Sequence, residues 1–169
     1  RDPLVTGVQT CALPILSQCS KDTPILIKST ISLQGWKYLK ETFPDHRLCF
    51  SPEFLRAANY MNDIKDLNNV ILSGDTDYWR DQYNINWSNI KINIVSPEEA
   101  IAIKYFRNAF LATKVSFFNE IYDFCNAYDL DFDQVRGGIA ADERISNSHT
   151  YVYPQDGIRG FSGMSFPKD

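Results

Sequence analysis

The sequence predicts an α/β fold in which a parallel sheet layer is followed by an all-helical segment that contains one long helix. Three observations lead to this prediction. Four short apolar stretches alternate with segments of helical pattern before Ser96, as they do in βαβ units. From Ser96 onward the apolar residues recur at helical spacing instead. Of the 169 residues, 44% are hydrophobic and 22% are charged, which is typical of a globular domain.

The four apolar stretches predict strands. The first contains Ile25, Leu26 and Ile27 without polar alternation, which is typical of a strand covered on both faces of a parallel sheet. The third is closed by Gly74. Strands are predicted over 24–30, 47–50, 69–74 and 91–95, and helices over 33–42 and 76–83.

The long helix has a strong start signal. Ser96 is a suitable N-cap, Pro97 fits the first helical position, and Glu99 completes a capping box. The pattern continues for about 30 residues, a length on the order of 45 Å. We therefore place a domain boundary near Ser96, with a second helix over 132–139 and a loop-like tail over 141–169. The apolar positions of the long helix are Ile103, Phe106, Phe110, Leu111, Val115, Phe118, Ile121, Phe124 and Cys125.

Composition excludes several classes of protein. The balance of 17 Lys and Arg against 21 Asp and Glu gives a net charge of −4, so no nucleic-acid partner is expected. No apolar run is long enough to predict a membrane span. The four cysteines form no C-x-x-C pair and the two histidines lie far apart, so we expect no metal site. Buried free thiols in a reducing compartment are expected instead, which predicts a cytoplasmic location.

The N-terminal segment needs separate treatment. Residues 5–15 resemble the in-frame translation of a common sequencing adapter. We therefore expect 1–15 to be foreign to the gene and exclude them from fold reasoning. An adapter also implies an assembled read, so we expect the natural protein to be truncated here.

Spacing alone suggests two candidate sites and leaves both open. Lys104 and Asn108 share one face of the long helix, where they would stabilise a developing negative charge, although a lysine at the rim of an apolar face also explains the pattern. Glu53 follows the second strand, at the sheet edge where ligands bind in open α/β sheets, although a solvated turn carboxylate is the simpler explanation. A serine hydrolase using His149 is disfavoured, because Ser162 lacks the G-x-S-x-G context. No G-x-G-x-x-G or Walker motif occurs in the chain.

Six blocks in fixed order take the analysis further, because together they resemble the UDP-glucose/GDP-mannose dehydrogenase family. The resemblance covers essentially all of 22–169. The blocks are Lys28-Ser29-Thr30, Ser51-Pro52-Glu53-Phe54-Leu55-Arg56, Lys104-x-x-x-Asn108-Ala109-Phe110-Leu111-Ala112-Thr113-Lys114, Phe118-Asn119-Glu120, Asp142-Glu143-Arg144-Ile145 and Phe166-Pro167-Lys168-Asp169.

The resemblance implies an NAD-dependent oxidoreductase that converts the C6 alcohol of a nucleotide-linked sugar to an aldehyde and then to a carboxylate. Family members combine a Rossmann NAD domain, a helical central domain whose long helix forms the dimer core, and a second Rossmann-like domain for the nucleotide sugar. By this comparison 16–95 is the later part of the NAD domain and 96–169 is a truncated central domain. A homodimer through 97–128 is expected, and 169 residues alone are expected to be inactive.

Site residues also follow from the resemblance. Thr30 and Glu53 match residues near the nicotinamide and its catalytic water. Lys104 and Asn108 match the pair that stabilises the C6 oxyanion or assists proton removal. The remaining matches are the substrate-binding stretch Phe54, Leu55 and Arg56, an arginine that reaches the neighbouring subunit's substrate, Arg144, the sugar-holding loop residues Phe161 and Gly163, and the terminal catalytic aspartate, Asp169.

Two departures from the family pattern affect the expected chemistry. The nucleophilic cysteine of the family is replaced by Ser165, and a glutamate that normally follows Phe-Leu-Arg is replaced by Ala57. A serine hydroxyl is far less acidic than a thiol and needs a base, so the second oxidation is expected to be impaired. A base-calling error at these codons is the alternative explanation of the departures. Two further alternatives stay open: a non-catalytic homologue that binds nucleotide sugar or pairs with an active subunit, and an unrelated binding module.

Overall fold

The computed structural model describes residues 13–56, 59–152 and 159–160. The strands are β1 (Ile25–Ile27), β2 (Leu48–Phe50), β3 (Asn69–Gly74) and β4 (Lys91–Ile94). The helices are α1 (Leu33–Thr42), α2 (Tyr60–Lys65), α3 (Asp77–Asn86), α4 (Pro97–Ala127) and α5 (Phe132–Ala140). The predicted α/β class with one long helix is confirmed. Residues 1–12 of the segment predicted to be foreign lie outside the described residues.

The sheet has the order β1-β2-β3-β4, but it is not parallel throughout. Strands β1 and β2 are parallel, as are β3 and β4, whereas β2 and β3 are antiparallel. The predicted parallel sheet layer is therefore observed at the two outer strand pairs and not at this central pair. The physical reason lies in the connection, because the six-residue α2 spans only about 9 Å. It does not carry the chain back along the sheet, so β3 starts near the edge where β2 ends.

Helices cover both faces of this sheet. Neighbouring residues of a strand point to opposite faces, and the two faces of β2 have different partners. Cys49 packs in a cluster with Val70, Leu72 and Tyr83 of α3. Phe50 contacts Trp36 of α1, with 6.3 Å between the ring centroids. All three residues of β2 are buried. In β1, the strand for which coverage on both faces was predicted, Ile27 is buried whereas Ile25 and Leu26 are half-buried.

Gly74 ends β3 in a conformation that requires glycine. Its φ is +82°, in the left-handed region. A Cβ atom there would lie 2.4 Å from the carbonyl oxygen of Leu48. The next residue, Asp75, donates its N–H to that same carbonyl at 2.9 Å. This hydrogen bond forms at the end of the β2–β3 pair and requires the backbone at Gly74 to lie close to Leu48.

The start of α4 forms the predicted capping box. The Ser96 N–H donates to Glu99 Oε2 at 2.7 Å, and the Glu99 N–H donates to Ser96 Oγ at 3.2 Å. The helix then runs for 31 residues. The chain divides into two compact units between Lys104 and Tyr105, within this helix, and the predicted functional boundary near Ser96 stays a prediction. Among the described residues, no helix is both long and apolar enough to cross a membrane.

The second unit contains the rest of α4, helix α5 and a braced loop over 141–152. Asp131 caps α5 by accepting the N–H groups of Asp133 and Gln134. Lys114 of α4 donates to the carbonyl of Ile145 at 2.5 Å. Arg136 of α5 donates to Asn147 Oδ1 at 2.8 Å. The loop is thus tied to both helices of its unit.

Candidate active site

The carboxyl ends of β1 and β2 place two of the resemblance blocks at one edge of the sheet. Because these strands are parallel and in register, Lys28 and Thr30 leave the sheet on the same side as Ser51 and Glu53. The Ser51 N–H donates to the carbonyl of Ile27 at 2.9 Å, which ties the two strand ends together. Carboxyl ends of neighbouring parallel strands are where open α/β sheets bind ligands.

The carboxylate of Glu53 is held at this edge by three hydrogen-bonding groups. Its Oε1 atom accepts the backbone N–H groups of Phe54 at 2.9 Å and Leu55 at 3.1 Å. Its Oε2 atom lies 3.1 Å from Lys28 Nζ. The side chain is therefore fixed by its own backbone turn on one oxygen and by an ion pair on the other.

Lys104 reaches the same residue from α4. Its Nζ atom donates to the backbone carbonyl of Glu53 at 2.6 Å and lies 5.2 Å from the centre of the Phe54 ring. The ring face attracts the cation. Lys104 is thus held at the sheet edge by a specific acceptor, and this contact joins two of the blocks that the resemblance identified.

Lys28 and Tyr83 belong to this cluster although no site role was predicted for either. Lys28 Nζ donates to the Tyr83 hydroxyl at 3.3 Å. Burial is the largest single influence on the pKa of Lys28 and lowers it, but the attractions of Tyr83 and Glu53 together outweigh burial and raise the pKa above its usual value. For Lys28, the sequence signal that could have indicated a site role was its position in the block Lys28-Ser29-Thr30.

The other predicted residues of the described chain are distributed as follows. Thr30 is half-buried after β1. Asn108 follows Lys104 by one turn of α4 and is only 8% exposed, as a residue on an inward face should be. The catalytic roles of both side chains stay predictions.

Arg56, predicted to bind substrate, is engaged by Asp63. Its backbone N–H donates to Asp63 Oδ2 at 2.9 Å and its Nε donates to the same oxygen at 3.0 Å. The hydrogen bonds of the Arg56 side chain, followed by that of its backbone N–H, lower the pKa of Asp63 to about 2. Any substrate contact by this guanidinium would compete with the ion pair.

Arg144 lies in the second unit on the braced loop. Asp142 holds it through the Arg144 backbone N–H at 3.0 Å and through Nε at 2.9 Å. The Arg144 side chain is nevertheless 89% exposed. A fixed and accessible guanidinium is what recognition of an anionic group on another molecule requires.

Five residues that the resemblance singled out as site residues or as departures lie outside the described residues, so the structure does not bear on them. These are Ala57, Phe161, Gly163, Ser165 and Asp169. The described free cysteines are Cys19, which is half-buried, and Cys49 and Cys125, which are buried. Cys49 is fully buried, and burial raises its pKa to about 11, so it is a protonated thiol at neutral pH.

Comparison with known proteins decides the family. The model of the UDP-glucose/GDP-mannose dehydrogenase family, central domain, matches residues 98–169. The chain belongs to the UDP-glucose/GDP-mannose dehydrogenase family. This match covers α4 and α5, whereas the sheet precedes it, in agreement with the resemblance found in the sequence blocks.

Relatives extend the match to the sheet. The chain is 31% identical to the UDP-glucose 6-dehydrogenase of Campylobacter jejuni over 150 residues, which are 86% of this chain and 37% of that protein. It is 30% identical to the enzyme of Rhizobium meliloti over 178 residues, 96% of this chain and 39% of that protein. A solved structure of a UDP-glucose dehydrogenase from Pyrobaculum islandicum has a TM-score of 0.70 and 25% identity, covering 85% of this chain and 34% of that one. The chain thus spans less than two fifths of the length of these dehydrogenases.

Proposed function

We propose that this chain is part of an NAD-dependent nucleotide-sugar 6-dehydrogenase, which oxidises the C6 alcohol of UDP-glucose or a related nucleotide sugar toward the uronic acid. The observation that carries the proposal is the meeting of Lys104 with Glu53 at the carboxyl edge of β1 and β2. Two residues 51 positions apart, from blocks that resemble the family's catalytic residues, form one cluster. The names of the relatives supply the substrate class.

Charge stabilisation is the main task of the proposed site. Loss of a proton from the C6 hydroxyl leaves negative charge on its oxygen. The ammonium of Lys104 and the amide of Asn108 stabilise this oxyanion. A fixed donor of this kind lowers the activation barrier by about 3–4 kcal/mol. The carboxylate of Glu53 accepts a hydrogen bond from the water that removes the proton.

The residues at the sheet edge fit a dinucleotide in part. Ser51 Oγ is fully buried there and makes no hydrogen bond with the described residues, and a buried hydroxyl of this kind suits a polar group of a ligand. We propose that Thr30, Ser51 and Glu53 contact the nicotinamide end of NAD. When bound, NAD supplies the hydride acceptor. The glycine-rich loop that grips a pyrophosphate does not occur within residues 1–169.

The second oxidation is proposed to be impaired. In the family it proceeds through a covalent adduct of a cysteine thiolate, and Ser165 occupies the equivalent position. A serine needs a general base that a cysteine of ordinary pKa does not. We propose that Asp169, Phe161 and Gly163 keep their family roles in the first step, and that the product accumulates as aldehyde.

A stripe of exposed aromatic residues supports a homodimer through α4. Projected down the axis of an ideal helix with 3.6 residues per turn, these aromatic residues fall within an arc of about 40°. This arc lies on the side of the helix opposite to Lys104 and Asn108. Exposed apolar stripes of this kind mark protein interfaces. In such a dimer the exposed guanidinium of Arg144 serves the partner's substrate site. The members of the stripe are Phe106, Phe110, Phe117 and Phe124, and Tyr128 follows one residue after the end of the helix, each at least 55% exposed.

The experiment counts NADH released per sugar by the full-length gene product with UDP-glucose, GDP-mannose and an N-acetylated analogue in turn. One NADH per sugar with trapped aldehyde is expected, and the variant Ser165→Cys is expected to raise the ratio to two. Rapid release of two NADH by the unaltered protein contradicts the impaired second step. Binding of a nucleotide sugar without any NADH favours the alternative that Ser165 and Ala57 suggest, a non-catalytic homologue.

A further inference from the structure

We infer that Lys28, held in place by the Tyr83 hydroxyl, is a positioning residue that fixes the carboxylate of Glu53 for catalysis. The inference rests on the proposed function for its catalytic meaning. It concerns two residues to which the family resemblance assigned no role, although Lys28 stands in one of its blocks. The geometry on which it depends lies wholly within the first unit.

The hydrogen bonds of Glu53 leave one acceptor direction open. An ionised carboxylate offers about four lone-pair sites, two on each oxygen. Oε1 uses both of its sites on the N–H groups of Phe54 and Leu55. Oε2 uses one on Lys28. Counting the contacts made by the described residues, a single site remains, on Oε2. A water that accepts the substrate proton would bind there.

The ion pair alone would not hold this orientation. The side chains of Lys28 and Glu53 are 39% and 37% exposed, and ion pairs at such exposure contribute little because the side chains move and water screens them. A long lysine side chain loses substantial rotamer entropy when it is fixed. A further anchor is therefore required if the geometry is to persist.

Tyr83 supplies that anchor from the core. Its side chain is 7% exposed and belongs to the cluster with Cys49, Val70 and Leu72, and its ring contacts that of Trp87 with 5.6 Å between centroids. The hydroxyl is thus carried by a ring that is packed in the core. By accepting from Lys28 Nζ at 3.3 Å, it holds the ammonium in a position from which it also meets Glu53 Oε2, at 3.1 Å.

The test uses Lys28→Met, which keeps the stem and removes the charge, and Tyr83→Phe, which removes only the hydroxyl. We expect kcat to fall at least tenfold in the first variant and about threefold in the second, with less than a threefold change in KM for sugar and NAD. Lys28→Arg should restore most of kcat. Exposed Lys37 on α1 provides the matched control, Lys37→Met, with no effect. A loss confined to KM overturns the inference.

A double-mutant cycle separates positioning from an independent role. If Lys28 acts through Glu53, adding Lys28→Met to Glu53→Gln causes no further loss of kcat. A second tenfold loss overturns the inference. The same cycle is read in thermal unfolding, where Lys28→Met should lower Tm by about 2 °C in the wild type and by less in the Glu53→Gln background. If no nucleotide sugar is oxidised, the proposed function fails and the thermal-unfolding cycle alone tests the inference. A smaller Tm effect of Lys28→Met in the Glu53→Gln background supports the positioning of Glu53. Equal Tm effects in the two backgrounds overturn it.

Discussion

The Lys104 ammonium donates to the backbone carbonyl of Glu53 at 2.6 Å, which connects the first turns of α4 to the carboxyl edge of the sheet. A hydrogen bond from a charged donor is worth about 1.5–3 kcal/mol. The bond also fixes where the ammonium lies. The oxyanion role proposed for Lys104 therefore depends on the backbone carbonyl of Glu53. Substituting the side chain of Glu53 leaves this carbonyl in place.

Replacing Lys104 should abolish most activity. Lys104→Met keeps a side chain of similar length and removes the charge, so kcat for NADH formation is expected to fall about 10²–10³-fold, as for loss of one oxyanion donor. Steady-state kinetics of the full-length protein measure this, with exposed Lys91 replaced in the same way as the control. A decrease below threefold would show that Lys104 only braces the 53–54 turn.

Two glycines should respond to alanine with opposite signs. Gly74→Ala places a Cβ against the Leu48 carbonyl at positive φ, and is expected to cost about 2–4 kcal/mol of unfolding free energy. Gly137→Ala, in α5, has open space around the new Cβ and is expected to stabilise by about 0.5–1 kcal/mol. Denaturant unfolding of both variants measures the difference. Equal effects at the two sites would contradict the geometry at the end of β3.

The Arg56–Asp63 pair should make stability depend on acid pH. Because the pKa of Asp63 is lowered from 3.8 to about 2, its contribution is fully present above about pH 4 and is lost as pH falls from 4 toward 2. The difference in Tm between the unaltered protein and Asp63→Asn should therefore shrink over that window. Glu143→Gln, an exposed change, is the control. A difference in Tm that is constant from pH 6 to pH 2 would refute the pairing.

Charges on the aromatic stripe should break the proposed dimer. Phe110→Asp with Phe117→Asp removes two phenylalanines, each worth about 1.5–3 kcal/mol when buried, so the dimer dissociation constant should rise at least about 100-fold. Sedimentation velocity over a concentration series measures it. Ile85→Asp alters a similarly exposed apolar residue of α3 and should leave the dimer intact. Unchanged association in the double variant would place the interface elsewhere.

The sequence predicted the elements with strong local signals and missed the contacts that depend on distant partners. Helix α1 and strand β3 were predicted at their observed bounds, and the capping box of α4 was confirmed. The antiparallel β2–β3 pair was not predicted, because a buried strand has the same apolar pattern in either direction. Helix α2 has no apolar periodicity, and its Tyr60 and Met61 are exposed, so no pattern indicated it.

The candidate site divides in the same way. Lys104 and Glu53 were found from blocks of neighbouring residues. The Lys28–Tyr83 contact joins residues 55 positions apart, and a tyrosine in an amphipathic helix predicts only a core position. Spacing in sequence carries no information about which polar groups meet across a sheet edge, so the supporting residues of the carboxylate appeared only in the structure.

Helix α4 presents its lysine–asparagine pair and its aromatic stripe on opposite sides. Inserting residues into this helix should therefore disturb the protein more than substituting them. One inserted residue between Phe110 and Phe117 would rotate everything beyond it by about 100° and split the stripe into two. Seven inserted residues would displace it by only about 20°. In variants of this chain, α4 should therefore tolerate many substitutions, but only those insertions that come close to a whole number of helical turns, as 7 or 11 residues do. Insertions of other lengths inside this helix should accompany loss of the dimer.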